Sequence, residues 1–181
     1  YFKEILSITE EYKITPEMTF AFIEAAEHES KEICQFIIDK KLRIDYQEIA
    51  SKSDTNGDFS KDIFSIIIDN ASPEMKEVFL SCSLKPAIIK RNVDLVEFLL
   101  NKGAPIDSAL LDAVKSSSLE IVEIILKKNS DPSYVNKNSS QGTALLIATN
   151  QNDLNIVQRL LKVPGIKLDL YDEKDQTPLI A

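Results

Sequence analysis

Residues 54–60 (Asp-Thr-Asn-Gly-Asp-Phe-Ser) have the clearest potential for chemistry in this sequence. Their oxygen-bearing side chains occupy alternate positions, and such side chains are the ligands that Ca²⁺ prefers. A calcium loop of the EF-hand type also needs a glycine at its sixth position and a glutamate at its twelfth, where this chain has Phe59 and Ser65. Because Asn56-Gly57 is also a common turn signal, we predict an inserted polar loop without a bound metal.

Nucleophilic catalysis would have to use His28, the single histidine of the chain. A serine or cysteine nucleophile is normally activated by an adjacent base, but His28 falls among Glu24, Glu27 and Glu29 on a helix surface that we expect to face solvent. The sequence contains no phosphate-binding, dinucleotide-binding, zinc-protease or paired-cysteine motif. We therefore expect no catalytic residues, no cofactor and no metal, and the chain is not predicted to be an enzyme.

A recurring apolar pattern must supply the elements that position any functional surface. In four copies, an alanine is followed nine residues later by an apolar residue, and two adjacent large apolar residues come shortly after it. Recurrence at intervals of about 20–50 residues is typical of solenoid proteins. The alanine and its apolar partner are Ala25 and Cys34, Ala87 and Val96, Ala113 and Val122, and Ala148 and Val157.

Each copy predicts two helices. An apolar residue three positions before the alanine gives the first helix an apolar face, as at Leu145 and Ala148. The second helix has apolar residues at i, i+3 and i+4, as at Val96, Leu99 and Leu100. Since one helix pair cannot bury its own apolar face, the pairs are predicted to stack on one another.

These residues resemble the ankyrin repeat, most strongly from about 82 to 181. The helix opener of that family, Thr-Pro-Leu-His-x-Ala, is matched in part by 143–148 and by 177–181, although the histidine is missing from both. The resemblance implies an all-α, ankyrin-like α-solenoid of stacked antiparallel helix pairs. The repeat spacing leaves room for short hairpin fingers only in the C-terminal repeats, at 135–142 and 170–176.

The position four residues after each repeat alanine departs from the family pattern. Ankyrin repeats have glycine there, and this chain has Glu29, Arg91, Ser117 and Asn152. Holding a non-glycine residue in the left-handed conformation costs about 1–2 kcal/mol. We therefore expect altered turns between the paired helices and a stack less regular than a consensus array.

Two local features concern where helices begin. The second and third repeat alanines are only 26 residues apart, so 107–108 is predicted to turn directly into the next helix with one of its residues as the N-cap.

Pro86 allows two interpretations. The preferred one is a helix that begins near Ser83 and holds the proline in its first turn. The other is a long helix that begins at 72–74 and is kinked by the proline.

We interpret the chain as a single ankyrin-repeat array over 1–181, with about five repeats and partial repeats at both ends. In this interpretation 46–82 is a decayed repeat, with Ala50 as the repeat alanine and an inserted loop near 54–58. Because the chain begins at Tyr1 and ends inside a repeat motif, we expect a piece of a longer array.

Composition constrains the partner and the compartment. The net charge is −8, and residues 1–70 hold 15 acidic and 8 basic residues. This balance disfavours nucleic acid and mildly favours a protein partner with a basic surface. No apolar run approaches the roughly 18 residues of a membrane span. The two cysteines occupy repeat core positions, which favours free thiols in a reducing compartment, so we expect a cytoplasmic protein, with secretion left open.

In the ankyrin family, partner proteins usually bind a concave side built from the finger tips and the exposed face of each first helix. The resemblance therefore implies a non-catalytic scaffold that binds a protein and no small-molecule substrate. Two alternatives stay open: a targeting or regulatory module of a larger enzyme or effector, and a structural array that packs against the rest of its own chain. By repeat position, the predicted contact residues are Glu27, His28, Ile89, Lys90, Lys115, Ser116, Ser139, Ser140, Asn150, Gln151, Glu173, Lys174 and Gln176, with Lys52 and Ser53 as a less certain pair.

Overall fold

The computed structural model describes residues 18–55, 59–173 and 177–178. Within these ranges the chain is all-α, and no β-strand interrupts the succession of helices. The helices in chain order are α1 (Thr19–Glu27), α2 (Lys31–Asp39), α3 (Tyr46–Thr55), α4 (Lys61–Asn70), α5 (Pro73–Ile89), α6 (Val93–Asn101), α7 (Ala109–Lys115), α8 (Leu119–Lys128), α9 (Pro132–Val135), α10 (Ala144–Asn150) and α11 (Leu154–Leu161).

The chain divides into two units, residues 1–83 and residues 84–181. In the first unit, α1 contacts α2, which follows it after a short turn, so the two helices form an antiparallel pair. α1 also contacts α3, and α2 contacts α4, so that the second pair stacks on the first. Aromatic rings contribute to the core of this unit, where the ring centroids of Phe64 and Phe79 lie 5.4 Å apart.

The second unit repeats the same packing. α7 pairs with α8, and α10 pairs with α11. α7 contacts α10, and α8 contacts both α6 and α11, so first helices stack on first helices and second helices on second helices. The repeat alanines are buried, and Ala113 and Ala148 expose no surface, because a side chain of one carbon lets neighbouring helices approach closely. The predicted all-α, ankyrin-like stack of helix pairs is confirmed.

The turns between paired helices correct one expectation. Glu29, Arg91, Ser117 and Asn152 all adopt the left-handed conformation, with φ between 52° and 56°. The turns therefore keep the glycine-type geometry without glycine, and the expectation of altered turns is wrong. In each turn, the following residue donates its backbone N–H to the carbonyl of the repeat alanine, at 2.8–3.4 Å. This bond and a second one from the left-handed residue itself close the first helix and offset the strain.

The residue that closes the first helix also begins the second one. The side-chain oxygens of Asn92 and Asp153 accept hydrogen bonds from the backbone N–H three residues further on, at 3.1 and 3.2 Å. One position, five residues after the repeat alanine, thus satisfies the end of one helix and the start of the next. Ser30 and Ser118 hold the same N-cap position in the other two copies, without a side-chain cap bond.

Helix α5 corrects the preferred interpretation of Pro86. The helix begins at Pro73 and continues through Pro86, so the longer of the two proposed helices is present and a start near Ser83 is wrong. Its beginning is well specified: proline suits the first helical position, and the Ser72 hydroxyl accepts a bond from the Met75 N–H at 3.4 Å. Buried residues at helical spacing continue on both sides of the proline (Phe79, Leu80, Leu84, Ala87 and Ile88), so burial along this face offsets the cost of the missing N–H.

Helix α7 begins without a side-chain cap of its own. Ser108 is the N-cap, as predicted for 107–108, but its hydroxyl donates to the Asp112 carboxylate at 3.1 Å and makes no cap bond. The Leu110 N–H instead donates to the hydroxyl of Tyr134 at 3.2 Å, and that hydroxyl donates to the Ile106 carbonyl at 2.7 Å. A side chain of the following repeat therefore satisfies the start of this helix.

Helices α3 and α4 lie in the segment interpreted as a decayed repeat. Ala50 is buried without exposed surface, and α4 buries Phe64, Ile67 and Ile68. Residues 56–58, at the centre of the expected inserted loop, lie outside the described residues. The division of the chain into repeats stays a prediction.

Candidate functional site

An open groove lies where the ends of α7 and α10 meet the turn that precedes α10. It has a volume of about 470 Å³ and will be called the polar groove. Its walls are mostly polar side chains, with the buried Ile147 as an apolar member. The lining residues are Lys115, Ser140, Gln141, Ile147, Asn150, Gln151 and Asp172.

A second groove adjoins the first, since Lys115 lines both. It has a volume of about 330 Å³ and will be called the cationic groove, because three of its six lining residues are basic. The end of α5, the turn after it and one face of α7 supply these residues, which are Lys85, Ile89, Arg91, Asp112, Lys115 and Ser116.

Helical spacing explains which side chains reach the grooves. Eight of the thirteen predicted contact residues stand two and three positions after a repeat alanine, and the other five lie in the expected fingers. Five of the eight, and one finger residue, line the grooves: Ile89, Lys115, Ser116, Asn150 and Gln151, and Ser140. The prediction omitted the residue just before the alanine, which is Asp112 in α7 and Ile147 in α10. These positions precede the predicted ones by three and four residues, so they share the same helix face. The helical period alone could have identified them.

Side-chain hydrogen bonds engage two of the predicted residues at the ends of α7 and α10. The Gln151 side-chain amide donates to the Lys115 carbonyl at 3.0 Å, which joins the end of α10 to the end of α7. The Ser116 hydroxyl donates to the Ala113 carbonyl at 2.8 Å. The side chains of Ser116 and Gln151 are therefore engaged by backbone carbonyls at helix ends. The side chains of Lys115 and Asn150 are exposed.

The predicted finger at 135–142 ends in a tight turn. Ser139 and Gly142 form an isolated antiparallel bridge, and the Ser139 hydroxyl also donates to the Gly142 carbonyl at 2.8 Å. Gly142 has φ 93°, and a Cβ there would lie 2.5 Å from a methyl carbon of Leu146, so the turn requires glycine. This geometry leaves Ser140 to line the polar groove, while the Ser139 side chain is engaged in the turn.

The remaining predicted residues do not line either groove. Glu27 and His28 are exposed at the end of α1 in the first unit, and Lys52 is exposed on α3, where the Ser53 side chain lies outside the described residues. Lys90 and Glu173 are exposed in the second unit. Lys174 and Gln176, in the second expected finger, lie outside the described residues.

Three features of the described part of the chain concern metal ligands, the Cys34 thiol and helix length. Within 18–55, 59–173 and 177–178, no three His, Cys, Asp or Glu side chains are grouped so that they could hold a metal ion. Cys34 is a free thiol, and burial raises its pKa to about 11, so it stays protonated near neutral pH. Across these same ranges, no helix combines the length and the apolar character needed to cross a lipid bilayer.

Stacked helix pairs with short left-handed turns, and an open face at the ends of the first helices, define a helical repeat protein. Residues 110–181 match the family model described as ankyrin repeats (3 copies). This match supports the resemblance to ankyrin repeats that the sequence predicted. Ankyrin repeats are generally modules for protein-protein interaction. A comparison with curated proteins gave no match.

Proposed function

We propose that this chain is a non-catalytic module that binds a partner protein through the polar and cationic grooves of residues 84–181. The observation that carries the proposal is the convergence of Ile89, Lys115 and Asn150, predicted separately from three repeats, on two adjoining grooves. Each of these side chains is exposed, while the apolar side of the same helices is buried in the stack. We thus assign partner binding to the exposed face of each helix and stabilisation of the fold to its buried face.

The partner should span several repeats. The grooves run from the end of α5 to the turn at 139–142, and a peptide or loop that filled both would contact three successive first helices. Specific protein interfaces bury about 800 Å² on each partner, so neighbouring exposed residues such as Lys90 and Glu173 would join the contact. Glu27 and His28 are proposed as contacts of the first unit.

The proposed compartment is reducing, such as the cytoplasm. Cys34 and Cys82 are both free, and Cys34 occupies a core position of the repeat. Free structural thiols persist where disulfides are kept reduced.

A quantitative capture experiment tests the proposal. The chain, the variant Lys115→Ala/Asn150→Ala and the variant Lys127→Ala/Asn155→Ala are each immobilised and exposed to lysate of the source cells. Lys127 and Asn155 are exposed residues of α8 and α11 that line neither groove, so the control loses the same two residue types. Mass spectrometry compares the captured proteins. We expect at least one protein that the chain and the control retain and the groove variant loses.

Titration of that protein then measures how much the substitutions at Lys115 and Asn150 weaken binding. If the pair contributes to an interaction hot spot, its loss should weaken binding by more than about 1 kcal/mol. Circular dichroism verifies that both variants keep their helix content. Equal capture of every protein by the chain and both variants would remove the grooves as a binding face and leave the function with another surface or another part of the protein.

A further inference from the structure

The cationic groove has a charge that differs from that of the chain as a whole. The chain has a net charge of −8, whereas residues 84–181 contain 12 basic and 12 acidic residues. Within the groove, Lys85, Arg91 and Lys115 face one carboxylate, that of Asp112. The basic groove is therefore a local feature of one face and is not visible in the overall composition.

The three basic side chains of the groove are open to a ligand. All three are exposed, and among the described residues no ion pair involves them. The one carboxylate of the groove accepts a hydrogen bond from the Ser108 hydroxyl at 3.1 Å, within its own helix turn. Like charges held on one face repel one another, and an anionic ligand relieves that repulsion.

An apolar side chain lies beside the basic ones. Ile89 leaves 58% of its surface exposed and stands one helical turn after Lys85 on α5. An exposed isoleucine next to cations offers contact area to an apolar side chain of a ligand. The groove therefore combines one apolar side chain with three basic side chains that can donate charge-assisted hydrogen bonds.

Resting on the proposed function, we infer that the cationic groove binds an acidic segment of the partner protein. The Asp or Glu carboxylates of the segment meet Lys85, Arg91 and Lys115, and an apolar residue between them covers Ile89. Arginine and lysine recognise carboxylates by charge-assisted hydrogen bonds, which arginine makes in pairs. The excess of acidic residues in 1–70 mildly favours a partner with a basic surface. Those residues line neither groove, so this preference does not apply to the cationic groove.

A protein segment fits this groove better than a nucleic acid. A phosphate backbone needs a run of several basic contacts, and its affinity comes from the counterions that they release. Here three cations stand with a carboxylate and an exposed isoleucine, and the negative net charge of the chain opposes a long polyanion. A short segment that carries its own apolar residue uses all of these groups.

Fluorescence anisotropy with defined peptides tests the inference. The first probe is a labelled peptide with a central leucine flanked on each side by glutamates, and the second replaces every glutamate by glutamine. At low ionic strength we expect the glutamate peptide to bind the chain at least about tenfold more tightly, a difference of about 1.4 kcal/mol. Salt should weaken the interaction, because exposed charges are screened within about 10 Å at 0.1 M.

Two double variants and one single variant locate the binding. Lys85→Gln/Arg91→Gln should weaken the glutamate peptide at least about fivefold, and Lys127→Gln/Lys162→Gln, which removes the same charge from exposed positions outside the grooves, should leave it unchanged. Glutamine keeps the Cβ of Arg91, so the backbone penalty at that left-handed residue does not change. Ile89→Ser should weaken the leucine-centred peptide and have no effect on one with a central glycine.

The outcomes separate this inference from the proposed function. If the glutamate peptide binds no better than its glutamine counterpart, the binding of an acidic segment is excluded. The same holds if Lys85→Gln/Arg91→Gln and Lys127→Gln/Lys162→Gln weaken that peptide equally. Loss of a captured protein in Lys115→Ala/Asn150→Ala would then still support the grooves as a binding face. Binding of single-stranded DNA as tightly as the glutamate peptide, with no effect of Ile89→Ser on either probe, would overturn the inference in favour of a general polyanion.

Discussion

At the scale of single residues, strain is concentrated at the five non-glycine positions that have a positive φ among the described residues. Four of them follow the repeat alanines, and the fifth, Lys41, ends α2 where Gly103 ends α6. At Lys41, the residue and its successor donate their N–H groups to the Ile38 and Ile37 carbonyls, at 2.8 and 3.2 Å. The same pair of bonds thus recurs wherever a helix must end in this conformation.

Replacing such a residue by glycine should stabilise the protein. Ser117→Gly relieves a penalty of about 1–2 kcal/mol, of which part is lost because glycine makes the unfolded chain more flexible. We expect the free energy of unfolding to rise by about 0.5–1 kcal/mol, measured by urea unfolding with circular dichroism. Ser117→Ala retains the Cβ and serves as the matched control without this gain. A glycine variant no more stable than the alanine variant would contradict this account of the turn.

A different residue-scale prediction concerns Tyr134, whose hydroxyl bonds both Ile106 and Leu110 across a repeat boundary. Tyr134→Phe leaves the Leu110 N–H without its partner, so we expect a loss of about 1–3 kcal/mol in stability. Burial raises the pKa of Tyr134 to about 12. In the unfolded chain it ionises near pH 10.

The sign of the pH effect follows from these two values. Tyr134 stabilises the folded state fully below about pH 10. This stabilisation is lost as the pH rises towards about 12, because the unfolded state releases the Tyr134 proton at a lower pH than the folded state does. The difference in unfolding free energy between the protein and Tyr134→Phe should therefore shrink between about pH 10 and about pH 12. A constant difference over that range would show that the buried hydroxyl does not ionise differently in the two states.

At the scale of elements, α5 is the helix with an internal proline. Pro86 lacks an N–H for the carbonyl four residues earlier, and such a position costs about 3 kcal/mol relative to alanine. Pro86→Ala should restore that bond and raise the unfolding free energy by about 1 kcal/mol or more, after allowance for a more flexible unfolded chain. Thermal unfolding measures the change, with Glu77→Ala on the exposed face of the same helix as control. A destabilised alanine variant would mean that the ring itself packs into the fold.

The elements could be predicted from the sequence wherever burial decides them. Apolar residues at helical spacing predict a helix with one buried face. Such residues are buried in the structure, as at Leu145 and Ala148 and at Val96, Leu99 and Leu100. The left-handed turns could not be predicted from local conformational cost. The penalty at Arg91 or Ser117 is outweighed by two hydrogen bonds and by the start of the next helix, which only the folded repeat brings together.

The candidate site was predictable to the extent that it lies within one helix. Lys115 and Asn150 follow from their positions after the repeat alanines, and Asp112 could have been added from the helical period. Lys85 and Arg91 could not be assigned to the same groove as Lys115, because they come from a different repeat. Their approach depends on how helices stack, which spacing along the chain does not specify.

At the scale of the whole molecule, charge is divided unevenly along the chain. Residues 1–83 contain 17 acidic and 9 basic residues, so they account for the entire net charge of −8. Residues 84–181, which hold both grooves, are balanced. Electrostatic attraction of a partner should therefore depend on which unit it approaches.

Damage to one repeat should extend to its neighbours. Leu99 exposes no surface in α6, and Leu99→Ala should cost about 2–5 kcal/mol through lost burial and the cavity that remains. Because α6 packs on α8, we expect faster hydrogen exchange in α8 as well as in α6. Glu97→Ala, on the exposed side of the same helix, is the control and should change neither stability nor exchange. Faster exchange confined to α6 would show that the repeats unfold independently.

The shared residue between paired helices has a consequence for how such a chain can change in length. Asn92 and Asp153 each terminate one helix with the N–H and start the next with the side chain, so a residue inserted or deleted there would disrupt both ends together. In the four clear copies the alanine and its apolar partner are always nine residues apart, while successive alanines from Ala87 onwards are 26 and 35 residues apart. Length variation, whether natural or engineered, is therefore tolerated in the segments that join one repeat to the next. A new loop grafted near 136–141 would extend the proposed binding face without disturbing the helix pairs.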